Sequence, residues 1–383
     1  MARIERSGVS ARNLEWADRI AETLYVAGIH ELFRYCSDEK SSDLHIKAGA
    51  HPTIRVNGAL QAGEFPVLSA PECAKLAVEM MTDEQVLELK RAGEVDFAFS
   101  SPGVGRFRVN VHKQRGSVAI AARRILPGAL SLLDLGLPPA VEMLSNEHRG
   151  LMLVTGPTSS GKTTTTGAVI KHINNTRKCH ILTIEDPIEI LHQDEKAIIT
   201  QREIGEDTND FQAALRAAMR QDPDVIFVGE IRDAETVKAA LQAAETGHFV
   251  IATLHTTDVT ETINRIIDFF PAHQQKQVRV GLSGSLAGVV SQRLVPRKDG
   301  GRVAAIEILI MNGRVRECIL NPEQTHMIED IVAESGFYGM QTFDMALVDL
   351  FRAGSIDLDT AMSAASNPHD FKLKLQQEGL QPV

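Results

Sequence analysis

The chain has 383 residues, of which 43% are hydrophobic and 23% are charged, and its formal net charge is −10. This composition is typical of a globular protein, and the length is sufficient for two or three domains. The acidic balance argues against a protein whose main task is to bind nucleic acid, since such proteins usually carry a basic surface.

The four cysteines are too far apart in the sequence to form a CxxC metal pair or a disulfide framework. We therefore expect reduced thiols in a cytoplasmic protein. No apolar run approaches the ~20 residues that span a bilayer, and the first residues lack the apolar core of a signal peptide. Any membrane contact is expected to go through a partner protein.

The first third of the chain predicts a small α+β domain in residues 1–126. A loosely amphipathic helical pattern over residues 12–36 predicts a helical N-terminal extension. Short β-like runs surround one longer helical stretch, 71–90. The stretch 127–148 begins with a segment rich in proline and glycine, which predicts a linker. The predicted strands of this domain are 53–56, 95–99, 106–111 and 117–122.

From residue 149 to residue 383 the pattern predicts a second domain in which apolar strands alternate with helices. Such strands form parallel βαβ units, and their apolar character suits a central sheet that is buried on both faces. A helical tail is expected to close the chain. The predicted strands are 151–155, 180–184, 224–228 and 249–254, and the predicted helices are 162–174, 211–221 and 234–246.

The sequence GPTSSGKT at residues 156–163 matches the P-loop pattern GxxxxGK[ST] between a predicted strand and a predicted helix. In such a loop small residues let the backbone N–H groups face the phosphates, and the helix N-terminus adds a positive dipole. Lys162 is expected to reach the β- and γ-phosphates, and the Thr163 hydroxyl is expected to bind Mg²⁺. The predicted nucleotide-binding residues are Gly156, Pro157, Thr158, Ser159, Ser160, Gly161, Lys162, Thr163 and Thr164.

Ionisable residues follow three of the predicted strands, at the sheet edge where parallel sheets bind ligands. Glu230 is expected to orient or deprotonate the attacking water. It is favoured over Asp224, which begins its strand and so lies ~20 Å from that edge. Glu185 is a candidate partner of the metal or the water, and His255 is a candidate sensor of the γ-phosphate. Asp186 precedes a proline and suits a simple turn equally well.

Phosphoryl transfer needs positive charge beyond one lysine and one metal ion, and arginines often supply it. The predicted strands of the first domain carry Arg106, Arg108, Arg115, Arg123 and Arg124. Arginines on strands are more often solvated or paired with carboxylates, so the residue pattern alone favours a structural role for each of them.

Four segments in order identify the chain as a member of the secretion ATPase superfamily. GPTSSGKTTT resembles its Walker A motif, ILTIEDPIEILH (181–192) its Asp box, RQDPDVIFVGEIRD (220–233) its Walker B motif, and TGHFVIATLHTTD (246–258) its His box. GRFRVNVHKQRG (105–116) is similar to its arginine strand. The likeness covers almost the whole chain and is greatest to the branch that retracts type IV pili.

The resemblance implies a PAS-like N-terminal domain and a RecA-like ATPase domain that assemble as a homohexamer. It also implies that ATP and Mg²⁺ bind at the P-loop. The expected place is the cytoplasmic face of the inner membrane, on a pilus platform protein, and the expected work is pilus disassembly in twitching motility. A pilus-assembly or secretion ATPase of the same superfamily is the alternative. A nucleic-acid translocase and a nucleotide-binding regulator without turnover are further alternatives from other classes.

By position, the resemblance gives Glu230 the role of catalytic glutamate and places Glu185 in the Asp box. It adds His248 to His255 as a functional histidine, although strand geometry alone puts His248 at the opposite sheet edge. Three arginines, Arg106, Arg108 and Arg123, match those that complete a nucleotide site in the family. Whether they serve their own chain or a neighbour stays open.

Overall fold

A computed structural model describes residues 27–125 and 127–380. The chain divides into two compact units, with the boundary between Leu126 and Pro127. Residues 12–26 of the predicted helical extension lie outside the described part. Residues 29–36 of that pattern belong to the helix α1 (Ile29–Asp38). No helix among the described residues is both long and apolar enough to cross a bilayer.

The first unit is an antiparallel sheet of six strands in the order β3-β2-β1-β6-β5-β4, with helices packed on its buried face. Phe33 of α1 stacks on Phe107 with 4.1 Å between the ring centroids, which ties this helix to the sheet. The strands are β1 (Asp43–Lys47), β2 (Thr53–Val56), β3 (Ala59–Ala62), β4 (Glu94–Ser101), β5 (Gly105–Gln114) and β6 (Ser117–Ile125), and the further helices are α2 (Ala70–Val78) and α3 (Asp83–Ala92).

The prediction of one continuous helix over residues 71–90 is wrong, because the chain forms α2 and α3 there. Thr82 starts the second helix: its hydroxyl accepts from Gln85 N, and the Gln85 side chain accepts from Thr82 N. This reciprocal capping box satisfies N–H groups that a helix start leaves without partners, and it fixes the break.

The second unit contains a seven-stranded sheet in the order β13-β12-β7-β11-β10-β8-β9. All neighbouring pairs are parallel except β12 and β13, so the predicted parallel central sheet is confirmed. The four predicted strands are present, and three more were not predicted. The strands are β7 (Gly150–Thr155), β8 (His180–Glu185), β9 (Ile198–Glu203), β10 (Val225–Val228), β11 (Phe249–Leu254), β12 (Leu286–Pro296) and β13 (Arg302–Ile310).

Helices cover both faces of this sheet, and the central strands β7, β10 and β11 are buried along their whole length. The helices α6, α7 and α8 pack on one face, while α4 and α5 pack on the other. The helices are α4 (Pro139–Ser145), α5 (Lys162–Thr176), α6 (Phe211–Ala218), α7 (Ala234–Glu245), α8 (Val259–Asp268), α9 (Ala272–Ser285), α10 (Gly313–Leu320), α11 (Ile328–Glu334), α12 (Phe343–Arg352), α13 (Leu358–Ala364) and α14 (Pro368–Gln377).

The stretch 127–148, predicted as a linker, is instead a packed part of the second unit. Val141 and Leu144 of α4 are buried in its core. Gly128 N donates to Leu191 O at 2.9 Å, and Lys171 Nζ donates to Ala129 O at 2.6 Å. The proline and glycine content predicted irregular backbone correctly but did not reveal that the apolar side chains between these residues would be buried.

Candidate active site

The P-loop joins β7 to α5 and has an unusual backbone that explains its glycines. Gly156 has φ +149° and Gly161 has φ +92°. A Cβ atom at Gly156 would collide with the backbone oxygen of Gln292, so this position excludes any other side chain. Ser159 has φ +64°, a left-handed conformation that costs a non-glycine residue about 1 kcal/mol.

Gln292 of β12 supports the P-loop through two side-chain hydrogen bonds. Its Nε2 donates to Ser160 O at 2.7 Å, and its Oε1 accepts from Thr165 Oγ1 at 2.8 Å. The side chain is 2% exposed, so both contacts are shielded from water. Gln292 is not predicted from the sequence, since it lies on an unpredicted strand and no local motif marks it.

Lys162 begins α5, and its ammonium group turns back over the loop. Nζ donates to Gly156 O at 2.7 Å and to Pro157 O at 3.0 Å, and lies 3.4 Å from His255 Nδ1. Burial lowers the pKa of Lys162, with the negative charges of Glu230 and Glu189 opposing the shift. Neutral carbonyl dipoles thus hold a partly desolvated cation, and an anionic phosphate would be a better partner for it.

Glu230 follows β10 at the same sheet edge as the P-loop. Its Oε1 lies 3.2 Å from His255 Nε2, and its Oε2 lies 2.8 Å from Arg232 Nη2. Arg232 Nη1 also contacts Asp186 Oδ2 at 3.4 Å. His255 therefore stands between Lys162 and Glu230, and the structure brings together the three groups to which the sequence analysis gave phosphate and water roles.

Glu185 ends β8 and is almost completely buried. Its Oε1 accepts from Thr183 Oγ1 at 2.6 Å and from Gln201 Nε2 at 3.2 Å. Burial raises the pKa of Glu185 to about 7, although these two hydrogen bonds favour the ionised form. The carboxyl group can therefore change its charge near neutral pH when a cation approaches.

Asp224 and His248 lie at the opposite edge of the sheet. Asp224 directly precedes β10, and its Oδ2 accepts from His180 N at 2.8 Å. His248 precedes β11, with Nδ1 3.0 Å from Ala243 O. Neither residue lines the cavity at the P-loop. Within its own unit His248 is thus remote from Glu230, as strand geometry predicts, and the role that the resemblance gives it stays a prediction.

A cavity of about 470 Å³ joins the loop to the strand ends. Thr163, Glu185 and Asp186 all line it, and their side chains carry oxygen atoms, the ligand type that Mg²⁺ prefers. Burial also lowers the pKa of His192 to about 4, so this wall residue is neutral at physiological pH. Lining residues that the sequence analysis did not single out include His192, Thr253, Leu294 and Arg302.

The arginine side chains of the first unit differ in their hydrogen-bond and ion-pair partners. Arg123 Nε donates to Asp43 Oδ1 at 2.9 Å, while Arg106 Nη1 donates to Ser100 Oγ at 3.2 Å. Arg108 forms no ion pair or hydrogen bond through its side chain within residues 27–125 and 127–380. Arg124 Nη1 donates to Ser37 O at 3.4 Å, which favours a structural role.

The family of type II/IV secretion system proteins matches residues 26–301. The chain belongs to this family. It is 44% identical to the type IV pilus retraction ATPase PilT of Pseudomonas aeruginosa, over 90% of this chain and 99% of that protein. A twitching motility protein of Neisseria gonorrhoeae is 46% identical over 82% of this chain and 84% of its own length.

A crystal structure of the pilus retraction motor PilT with bound ADP has a TM-score of 0.82, with 46% identity, 90% of this chain covered and 99% of that chain covered. The predicted membership of the secretion ATPase superfamily is confirmed by these matches, and the chain is a nucleotide-binding ATPase.

Proposed function

We propose that the chain is the ATP-driven motor that retracts a type IV pilus in twitching motility. The supporting observation is the similarity to the retraction ATPase of Pseudomonas aeruginosa, which extends over 99% of that protein. By contrast, type II secretion system protein E of Xanthomonas campestris is 31% identical, and the match spans 50% of its length. This difference favours retraction over the secretion alternative.

Within the site, the P-loop N–H groups and Lys162 bind the phosphates of ATP. Thr163 would hold Mg²⁺, which would neutralise charge on the transferred phosphoryl group. Glu230 accepts the proton of the attacking water, because it is the carboxylate at this edge that lies in reach of both His255 and the cavity. His255 lies between Lys162 and Glu230, so binding of the γ-phosphate at Lys162 changes the contact of His255 with the Glu230 carboxylate.

The proposed working form is a homohexamer at the cytoplasmic face of the inner membrane, bound to a pilus platform protein. Arg123 and at least one of Arg106 and Arg108 complete a nucleotide site. Two of these side chains, Arg108 and Arg123, face each other directly on neighbouring strands. Like charges so placed destabilise a sheet, which is a reason to expect an anionic ligand for them.

The test in cells is deletion of the gene, with complementation by wild type or by Lys162→Ala. Hyperpiliated, non-motile cells that only the wild type restores support retraction. Cells without pili would instead show an assembly ATPase, and normally piliated, motile cells would exclude both pilus roles.

The test in solution is ATP turnover per chain as a function of protein concentration. Turnover should rise as rings form, because isolated chains would lack a complete site. In mixtures of Arg123→Ala and Lys162→Ala chains, activity reappears if the arginine acts on a neighbour's nucleotide and stays absent if it acts within its own chain. Constant turnover from dilute chain to assembled ring would contradict the hexameric motor.

A further inference from the structure

Four charged residues form a straight row across the sheet of the first unit. Arg55, Asp43, Arg123 and Arg108 stand directly opposite one another on β2, β1, β6 and β5. Side chains in such positions share one face of a sheet and are close enough to interact. We call these four residues the arginine row. It lies on the face opposite the core, because each of its members has a neighbour in its own strand that is buried in that core, namely Ile54, Leu44, Ala122 and Val109.

Asp43 is the single carboxylate of the arginine row and is 7% exposed. Its Oδ1 accepts from Arg123 Nε at 2.9 Å, its Oδ2 accepts from Ser42 Oγ at 2.8 Å, and Arg55 Nε lies 3.6 Å from Oδ2. Burial alone would raise the pKa of Asp43, but the Ser42 hydroxyl and the Arg123 guanidinium hold it below its usual value. Asp43 is therefore ionised at neutral pH.

The contact with Asp43 engages Nε of Arg123, and within the described part of the chain no hydrogen bond or ion pair engages its two Nη atoms. A guanidinium has five N–H donors in a rigid plane, of which one is on Nε and four are on the two Nη atoms. Asp43 fixes the plane through Nε, while the Arg123 side chain as a whole remains 74% exposed. The two Nη atoms are thus available to a ligand, in the fork geometry that binds phosphate oxygens in pairs.

We propose that Asp43 is a positioning residue for Arg123, holding its Nε edge so that the Nη edge meets the triphosphate of ATP. This inference rests on the function proposed above, in which Arg123 completes a nucleotide site. Without Asp43 the long side chain samples many rotamers and must be ordered at each turnover. Asp43 itself does not touch the nucleotide.

The test is a double-mutant cycle in the full-length chain, with kcat and KM for ATP measured on the assembled protein. Asp43→Ala should lower kcat by about 10- to 100-fold, the usual effect of a misplaced catalytic group. Asp43→Asn should retain more activity, because its amide oxygen can still accept from Arg123 Nε. Because Asp43 acts through Arg123, adding Asp43→Ala to Arg123→Ala should cause no further loss.

Asp96→Ala is the matched control. Asp96 is a carboxylate on β4 of the same sheet that accepts from Asn110 Nδ2 at 3.2 Å, and its removal should leave kcat unchanged. If Asp43→Ala does not fold, Asp43→Asn replaces it in the cycle.

The inference would be overturned if the loss of kcat in the double variant equalled the product of the two single losses. It would also be overturned if Asp43→Ala were fully active while Arg123→Ala was impaired. In both cases the proposed function of Arg123 would stand. Full activity of Arg123→Ala alone would instead remove the arginine role and the positioning role together.

Discussion

Glu307 offers a quantitative test of the buried electrostatics in the second unit. It lies on β13, is 6% exposed, and its Oε2 accepts from Val259 N at the start of α8 at 2.8 Å. Burial raises the pKa of Glu307 to about 7. The hydrogen bond from Val259 opposes this shift, and the nearby charges of Asp258 and Glu329 add to it. The perturbation is Glu307→Gln, which keeps an acceptor for Val259 N and removes the titration.

The sign of the effect follows from proton binding. Between the ordinary glutamate pKa of 4.5, which applies to the unfolded chain, and the folded pKa of about 7, the folded protein binds a proton at Glu307 that the unfolded chain has released. The free energy of unfolding therefore falls as the pH rises through this window. A shift from 4.5 to about 7 corresponds to a loss of about 3 kcal/mol, which is complete near pH 8.

The assay is thermal unfolding at pH 5 and pH 8, in wild type, Glu307→Gln and the exposed control Glu334→Gln. Glu307→Gln should match the wild type at pH 5 and exceed it at pH 8. The gain in Tm should be several degrees, since about 1 kcal/mol shifts the Tm of a domain of this size by ~2–4 °C. A difference between Glu307→Gln and the wild type that does not change with pH would refute the reasoning.

Three further substitutions test the nucleotide site. Lys162→Ala should abolish turnover and weaken ATP binding, because the β- and γ-phosphates lose their direct cation; equal turnover with Mg²⁺ present would contradict the P-loop assignment. Glu230→Gln should still bind ATP but hydrolyse it at least ~10²-fold more slowly, and a larger loss in Asp224→Asn would refute the strand-edge reasoning. Gln292→Met should leave Ser160 O and the Thr165 hydroxyl unpaired. It should lower the Tm by several degrees, because each buried polar group left without a hydrogen-bond partner costs ~1–3 kcal/mol of stability. It should also weaken nucleotide binding, which calorimetry with ADP can measure.

The P-loop and the strand-end residues could be predicted because the physics that places them is local. Each central strand is an uninterrupted apolar run, and the residue after it must emerge at the sheet edge. That rule predicts Glu185, Glu230 and His255 at the sheet edge that carries the P-loop, and Asp224 at the opposite edge. All four lie where the rule puts them.

The contacts that support the loop could not be predicted, because they depend on the order of strands. Gln292 reaches Ser160 only because β12 lies beside β7, and the two residues are 132 positions apart. The strand itself was missed, since its run of apolar and small residues also suits a helix. The same limit applies to Asp43, whose contact with Arg123 spans 80 positions and depends on the pairing of β1 with β6.

In the mechanism proposed above, the position of His255 connects nucleotide binding to the chemistry of water attack. Its Nδ1 lies 3.4 Å from Lys162 Nζ, and its Nε2 lies 3.2 Å from Glu230 Oε1. A γ-phosphate that pairs with Lys162 competes for the ammonium group with His255 and with the two loop carbonyls. Because the imidazole ring is rigid, any movement of its Nδ1 side also changes the contact of Nε2 with Glu230. The carboxylate oxygen that His255 holds can then face the attacking water, while Arg232 keeps the other oxygen in place. In the proposed mechanism, phosphate recognition and base activation are thus linked through one side chain, which is a physical reason for a histidine at the end of β11.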